Sequence, residues 1–276
     1  MVSFGSILAM IFTITVAFFV PVIAIAVLCA AGRLHWKSVL AGFFLYAVAQ
    51  TCLRLPALWV FYRIPGAASF AYSPIGNGIV MGVTAALFEE GARLLGGRVA
   101  LGRKGRPLTG RDALGYGLGH SVAETFFLMG VSNFSMLMLA FSINNTGLAG
   151  YSEMFGQEQA MQVYQTLTGT PAWQFAAGGV ERLLYTVIQV AFTALVFYAL
   201  RRRQWRYLWL AAGAHFTLNF GIALLQPHGV WMGEAYVLVC AVFLAALALP
   251  LLRRFWGAEA GGPPEGTPVG QPAAGE

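Results

Sequence analysis

Three pairs of polar residues, each spaced four apart, stand inside long apolar stretches of this chain. They are Glu89 with Arg93, in the run Phe-Glu-Glu-Gly-Ala-Arg, then His120 with Glu124, and His215 with Asn219. Residues four apart share one face of an α-helix. A charged side chain at the centre of a membrane helix is disfavoured by about 2.5–3.5 kcal/mol on insertion scales, so such groups are kept where they pair or act. A carboxylate beside imidazoles can take a proton from water, and an imidazole with a carboxamide can donate hydrogen bonds to a developing oxyanion. That set suffices for amide hydrolysis. Glu89, His120 and His215 are equally the ligand types of a catalytic zinc site with one open position, although the chain contains no HExxH. The residues alone leave the metal-free and zinc versions open, the favoured expectation being no cofactor.

These groups need helices to position them, and the composition supplies them. Of 276 residues, 58% are apolar and 10% charged, and runs such as residues 7–31 exceed what a soluble core helix needs. They do not alternate in polarity every second residue, which sets aside a transmembrane barrel. The expected fold is all-α, a polytopic transmembrane helical bundle in a cell membrane. Apolar stretches of about 20 residues give about seven spans, at approximately 4–31, 38–62, 76–97, 112–142, 172–200, 206–226 and 230–252. Basic residues cluster after alternate spans: Arg33 and Lys37, then Arg98 to Arg111, then Arg201 to Arg206, and finally Arg253 with Arg254. This alternation predicts an outward N-terminus and a cytoplasmic C-terminus. The net charge of +6 is spread over these turns, so no nucleic-acid partner is expected. Cys29, Cys52 and Cys240 lie in or at the ends of apolar segments without CxxC spacing, which predicts neither a disulfide nor a cysteine metal site. The N-terminus lacks a basic region of the kind that begins a cleaved signal, so the first span is expected to be retained.

The fourth span is too long for one straight crossing, and Gly130 with Ser132 and Asn133 is the expected place for a bend. Residues 143–171 read as an outward loop, with a short interfacial helix over Met154 to Leu167. Residues 1–257 form the membrane domain, and 258–276, dominated by Gly, Pro, Ala and Glu, read as a disordered cytoplasmic tail.

Helical rise places the polar pairs at one level. Glu89 lies roughly 13 Å from the basic edge at Arg98, His120 about 12 Å from Asp112, and His215 roughly 13 Å from Arg206. Arg54 on the second span and Glu181 with Arg182 on the fifth add charges that call for ion pairing. Glu181 and Arg182 point to different faces and are expected to pair with span two or three. Tyr116 shares a helix face with His120. The glycines around it, Gly115-Tyr-Gly-Leu-Gly119, precede no strand and suit close helix packing better than nucleotide binding.

The order Glu89-Glu90-Gly-Ala-Arg93, then Tyr116-Gly-Leu-Gly-His120, then His215-Phe-Thr-Leu-Asn219 resembles the CAAX-protease and bacteriocin-processing superfamily of intramembrane proteases, and within it the YhfC family. The resemblance covers spans three to six. It implies an intramembrane endopeptidase acting on a membrane-associated peptide or protein. Glu89 would then be the general base, His120 the residue holding the water, and His215 with Asn219 the oxyanion hole. Glu90 and Arg93 would orient these groups, with Glu124 and Glu181 supporting them. Only Gly91 and Ala92 separate the Glu pair from Arg93, where the prenyl-peptidase branch has three residues, and Tyr116 stands where that branch prefers Phe. A prenylated substrate is therefore not implied. Two other classes fit buried polar residues: a transporter coupled to protons or a metal ion, and a membrane scaffold with a polar core.

Overall fold

A computed structural model describes residues 1–101 and 107–259, and these contain helices and turns but no strand. The long helices are α1 (Phe4–Ala30), α2 (Trp36–Phe61), α4 (Pro74–Leu95), α5 (Gly110–Thr125), α6 (Val131–Phe155), α8 (Ala172–Arg202), α9 (Arg206–Leu225) and α10 (Val230–Glu259). Two shorter helices, α3 (Ala67–Tyr72) and α7 (Gln157–Gly169), complete the set. Among the described residues, six helical runs are long and apolar enough to cross a membrane on length and composition. Helix α4 is not among them, because Glu89, Glu90 and Arg93 dilute it, yet its 22 residues reach about 33 Å and fill the expected third span. The protein is a multi-pass helical membrane bundle.

Local signals start and stop these helices. Ser73 caps α4, its Oγ accepting from the Gly76 amide at 3.0 Å, with Pro74 in the first turn where a missing N–H is harmless. At α5, Thr109 and Asp112 form a reciprocal capping box. The Asp112 carboxylate also accepts from Ser38 Oγ at 2.7 Å and pairs with His35 Nδ1 at 2.8 Å. His35 and Ser38 therefore tie the start of α2 to the start of α5.

Where the fourth span was expected to bend, the chain forms a wide, π-helical turn over Phe126–Gly130. Ser132 Oγ and Asn133 Nδ2 both donate to the Met129 carbonyl there, at 3.1 Å each, offering the backbone a competing partner. The loop expected over 143–171 is instead mostly helical. Helix α6 continues to Phe155 with a break at Gly147 (φ 72°), and Gly156 (φ 87°) turns the chain into α7. The reason is packing: Ile143, Tyr151, Ala160 and Leu167 bury with Met10 and Phe175 in a second apolar cluster, repaying the ordering of this polar segment. Helix α7 falls on the short helix expected over Met154 to Leu167. Helix α10 extends to Glu259 and so takes in the first two residues of the expected tail 258–276, the rest of which lies outside the described residues.

The main core gathers α5, α8, α9 and α10 around Tyr116, Phe192, Phe197 and Leu218. Small residues set a close approach between α2 and α5. A Cβ at Gly119 would collide with the Val39 carbonyl and lie 3.0 Å from Val39 Cα, while one at Gly42 would collide with the Tyr116 carbonyl and lie 2.9 Å from the His120 amide. These are backbone atoms and cannot swing aside. Gly119→Ala is therefore expected to lower stability by about 1–3 kcal/mol through overpacking, read as a lower unfolding temperature in detergent, whereas Gly91→Ala, which meets open space, should leave it unchanged.

Candidate active site

Glu89 and Glu90 are consecutive on α4 and turn in different directions. Glu89 Oε2 lies 3.1 Å from His120 Nε2 of α5 and 3.7 Å from His215 Nε2 of α9, and its Oε1 lies 3.6 Å from Arg54 Nη1 of α2. Three residues expected at one depth thus meet around one carboxylate oxygen, all buried. Glu90 Oε1 accepts from Arg93 Nη1 at 2.6 Å and from His215 Nδ1 at 2.7 Å. Arg93 therefore pairs with Glu90, not with Glu89 four residues before it.

Arg93 is 0% exposed and serves as the hub. Its guanidinium reaches His120 Nε2 at 3.0 Å, Thr193 Oγ1 at 3.3 Å and, very closely, Gln189 Oε1, with its face toward Phe192. Gln189 passes the chain on, donating from Nε2 to Glu124 Oε2. Glu124 Oε1 lies 3.6 Å from Arg182 Nη1, and Arg182 Nη2 donates to Glu181 Oε1 at 2.9 Å. The expected partner of the Glu181–Arg182 pair, span two or three, is thus replaced by Glu124 of α5. The Glu181 side chain keeps 25% of its surface exposed and stands at the edge of the cluster.

Asn219 does not join the group by any hydrogen bond to it. Its Nδ2 donates to the His215 carbonyl of its own helix at 3.2 Å, and the residue is only partly buried. Tyr116 also turns away, its hydroxyl donating to the Ala92 carbonyl at 2.9 Å while its ring packs on Phe197. Sequence reading missed Gln189, Thr193 and Tyr46. Gln189 and Thr193 are four apart on the face that also carries Arg182 and Thr186, a polar stripe in an apolar run, and that spacing was the available signal.

Among the described residues, the buried side-chain polar atoms without a protein hydrogen-bond partner are the Tyr46 hydroxyl, Glu90 Oε2, His120 Nδ1 and Arg182 Nε. All four belong to this cluster.

The donor set fits a divalent cation. A tetrahedral zinc site places its ligand atoms about 3.4 Å apart, and Glu89 Oε2 stands 3.1 and 3.7 Å from the two imidazole Nε2 atoms. Because Glu90 accepts the Nδ1–H of His215, the neutral ring turns its Nε2 lone pair toward Glu89. Two acceptors facing each other call for a positive charge between them, either a proton or a metal ion. Among the described residues, the group whose donor atoms all lie within 4.8 Å of one another is Glu89, His120 and Glu124, with His215 Nε2 adjoining it through Glu89.

Fold and site together define a multi-pass membrane protein with a carboxylate–imidazole centre enclosed by its helices. The chain belongs to the YhfC intramembrane metalloprotease family, whose model matches residues 16–243 and so takes in every site residue named above. It is 29% identical over 177 residues to the uncharacterized membrane protein YhfC of Bacillus subtilis (strain 168), an alignment covering 64% of this chain and 67% of that protein. No solved structure matches the chain.

Proposed function

We propose that this protein is an intramembrane endopeptidase in which Glu89, His120 and His215 activate water to cleave a peptide bond in a membrane-associated peptide or protein. The observation that carries the reading is the convergence of three helices on Glu89 Oε2. In the metal-free version Glu89 takes a proton from water as its oxygen adds to the scissile carbonyl carbon, and returns it to the amine nitrogen as the C–N bond breaks. His215, its Nδ1–H held by Glu90, turns its Nε2 lone pair to accept the water's other hydrogen.

A second version is favoured by the lone pair of His215 facing Glu89 and by the family's description as metalloproteases. Glu89, His120 and Glu124 would hold the ion, with His215 Nε2 beside Glu89. A bound zinc supplies a Lewis acid that makes water nucleophilic near neutral pH. Glu90, held by Arg93, fixes the His215 tautomer in either version. Relation to the wider CAAX-protease superfamily is supported by the shared order of motifs only.

An apolar groove of about 370 Å³ lies beside the turn that follows α5. Its walls come from α1 (Thr13 to Phe19) and from the Phe126–Gly130 turn, and Thr125, next to Glu124, forms part of them. It suits an apolar segment arriving from the lipid side.

The test uses the full chain purified in detergent, with dye-labelled casein as substrate. Cleavage by the wild type and none by Glu89→Gln is the expected result, and equal release of dye from both would overturn the reading. Chelation separates the versions: cleavage lost with the metal and restored by zinc supports the cation, and cleavage that survives removal of all bound metal supports the carboxylate acting alone.

A further inference from the structure

Tyr46 lies on α2, is completely buried, and sets its ring edge-on against His120, with centroids 4.6 Å apart and planes at 66°. Its place is fixed by the backbone, because Gly42, one turn earlier, sits against the Tyr116 carbonyl and the His120 amide. The same face of α2 continues through Gln50 to Arg54, whose guanidinium binds Gln50 and faces Glu89. The Tyr46 hydroxyl therefore belongs to the wall of the centre.

Other hydroxyls nearby are engaged: Tyr116 donates to Ala92, Thr193 to the Gln189 carbonyl, and Ser121 is bonded to Thr186. The Tyr46 hydroxyl has no protein partner, and neither has Nδ1 of the His120 ring it touches. Burying a hydroxyl without an acceptor is unfavourable, and Phe would fill the same space without that penalty. Packing alone does not explain the phenol. Hydrolysis of an amide also needs a donor for the carbonyl oxygen, and the carboxamide expected in that role, Asn219, is bonded to its own helix.

We propose that Tyr46 is a catalytic residue whose hydroxyl donates a hydrogen bond to the carbonyl oxygen of the scissile amide. This inference rests on the hydrolase reading above. As water adds, negative charge gathers on that oxygen and the hydrogen bond strengthens. The phenol keeps its proton throughout, so the water proton still travels by the carboxylate to the leaving amine.

The test is Tyr46→Phe in the full chain, measured beside wild type and Glu89→Gln with dye-labelled casein, together with unfolding temperature and bound zinc. The expected result is a fall in kcat on the order of 10²-fold, the scale for losing one oxyanion donor. KM stays within about threefold, bound zinc does not change, and the unfolding temperature is equal or higher because an unpaired buried hydroxyl has gone. A kcat within about twofold of wild type overturns the proposal, and so does a loss of activity that accompanies a lower unfolding temperature, since that marks a packing role. Wild type indistinguishable from Glu89→Gln overturns the hydrolase reading and this inference with it. Wild-type cleavage matched by Tyr46→Phe removes the Tyr46 role alone.

Discussion

Replacing Glu89 with Gln is expected to reduce proteolysis by about 10²–10⁴-fold, the range lost when a positioned acid–base group is removed. The two side chains have the same shape, so the space between His120 and His215 stays filled. What disappears is the ability to hold a proton or complete a cation site, and both versions of the reaction need it. Folding should survive, because Arg54 keeps its bonds to Gln50 Oε1 at 3.2 Å and Thr84 Oγ1 at 3.1 Å after losing its charged neighbour. The measurement is casein cleavage by wild type and variant of matched unfolding temperature. Retention of more than about a tenth of wild-type activity would remove Glu89 from the water-activating role.

Arg93→Met is expected to produce the largest loss of stability in the bundle, about 3–5 kcal/mol, as found when one partner of a buried ion pair is removed. Met occupies similar space but leaves the Glu90 carboxylate facing His215 without its cation, and strips a donor from Gln189, Thr193 and His120 at once. Adding Glu90→Gln to Arg93→Met should recover part of the loss, since the uncompensated charge goes too. Equilibrium unfolding in mixed micelles measures both. A single variant within about 1 kcal/mol of wild type would mean that water reaches this position freely.

Much of the arrangement was legible in the chain. Apolar runs give the helices, and helical rise gives the common depth of Glu89, His120 and His215, because both are set by local backbone geometry. Which neighbour each polar group takes is set by helix rotation and tertiary packing, and there sequence spacing misleads. Arg93 looks like the partner of Glu89 but binds Glu90, and Asn219 looks aimed at the site but bonds its own backbone. Tyr46 carried no signal, because an aromatic residue in an apolar run reads as packing until its contact with His120 is seen. The segment 143–171 read as loop since its polar composition hides the few apolar side chains that anchor it.

Helix α2 contains a wide turn over Ala49–Arg54, with one backbone step more than a regular helical turn holds. In an unbroken α-helix Arg54 would drift about 80° around the axis from Tyr46, whereas the wide turn brings Tyr46, Gln50 and Arg54 into line, all buried. Cys52 and Leu53 in that turn point outward. Their number matters more than their nature: losing any one residue there would swing the chain beyond it by about 100° and carry the guanidinium out of reach of Glu89. Alignments of relatives across this stretch are therefore better scored by gap than by identity.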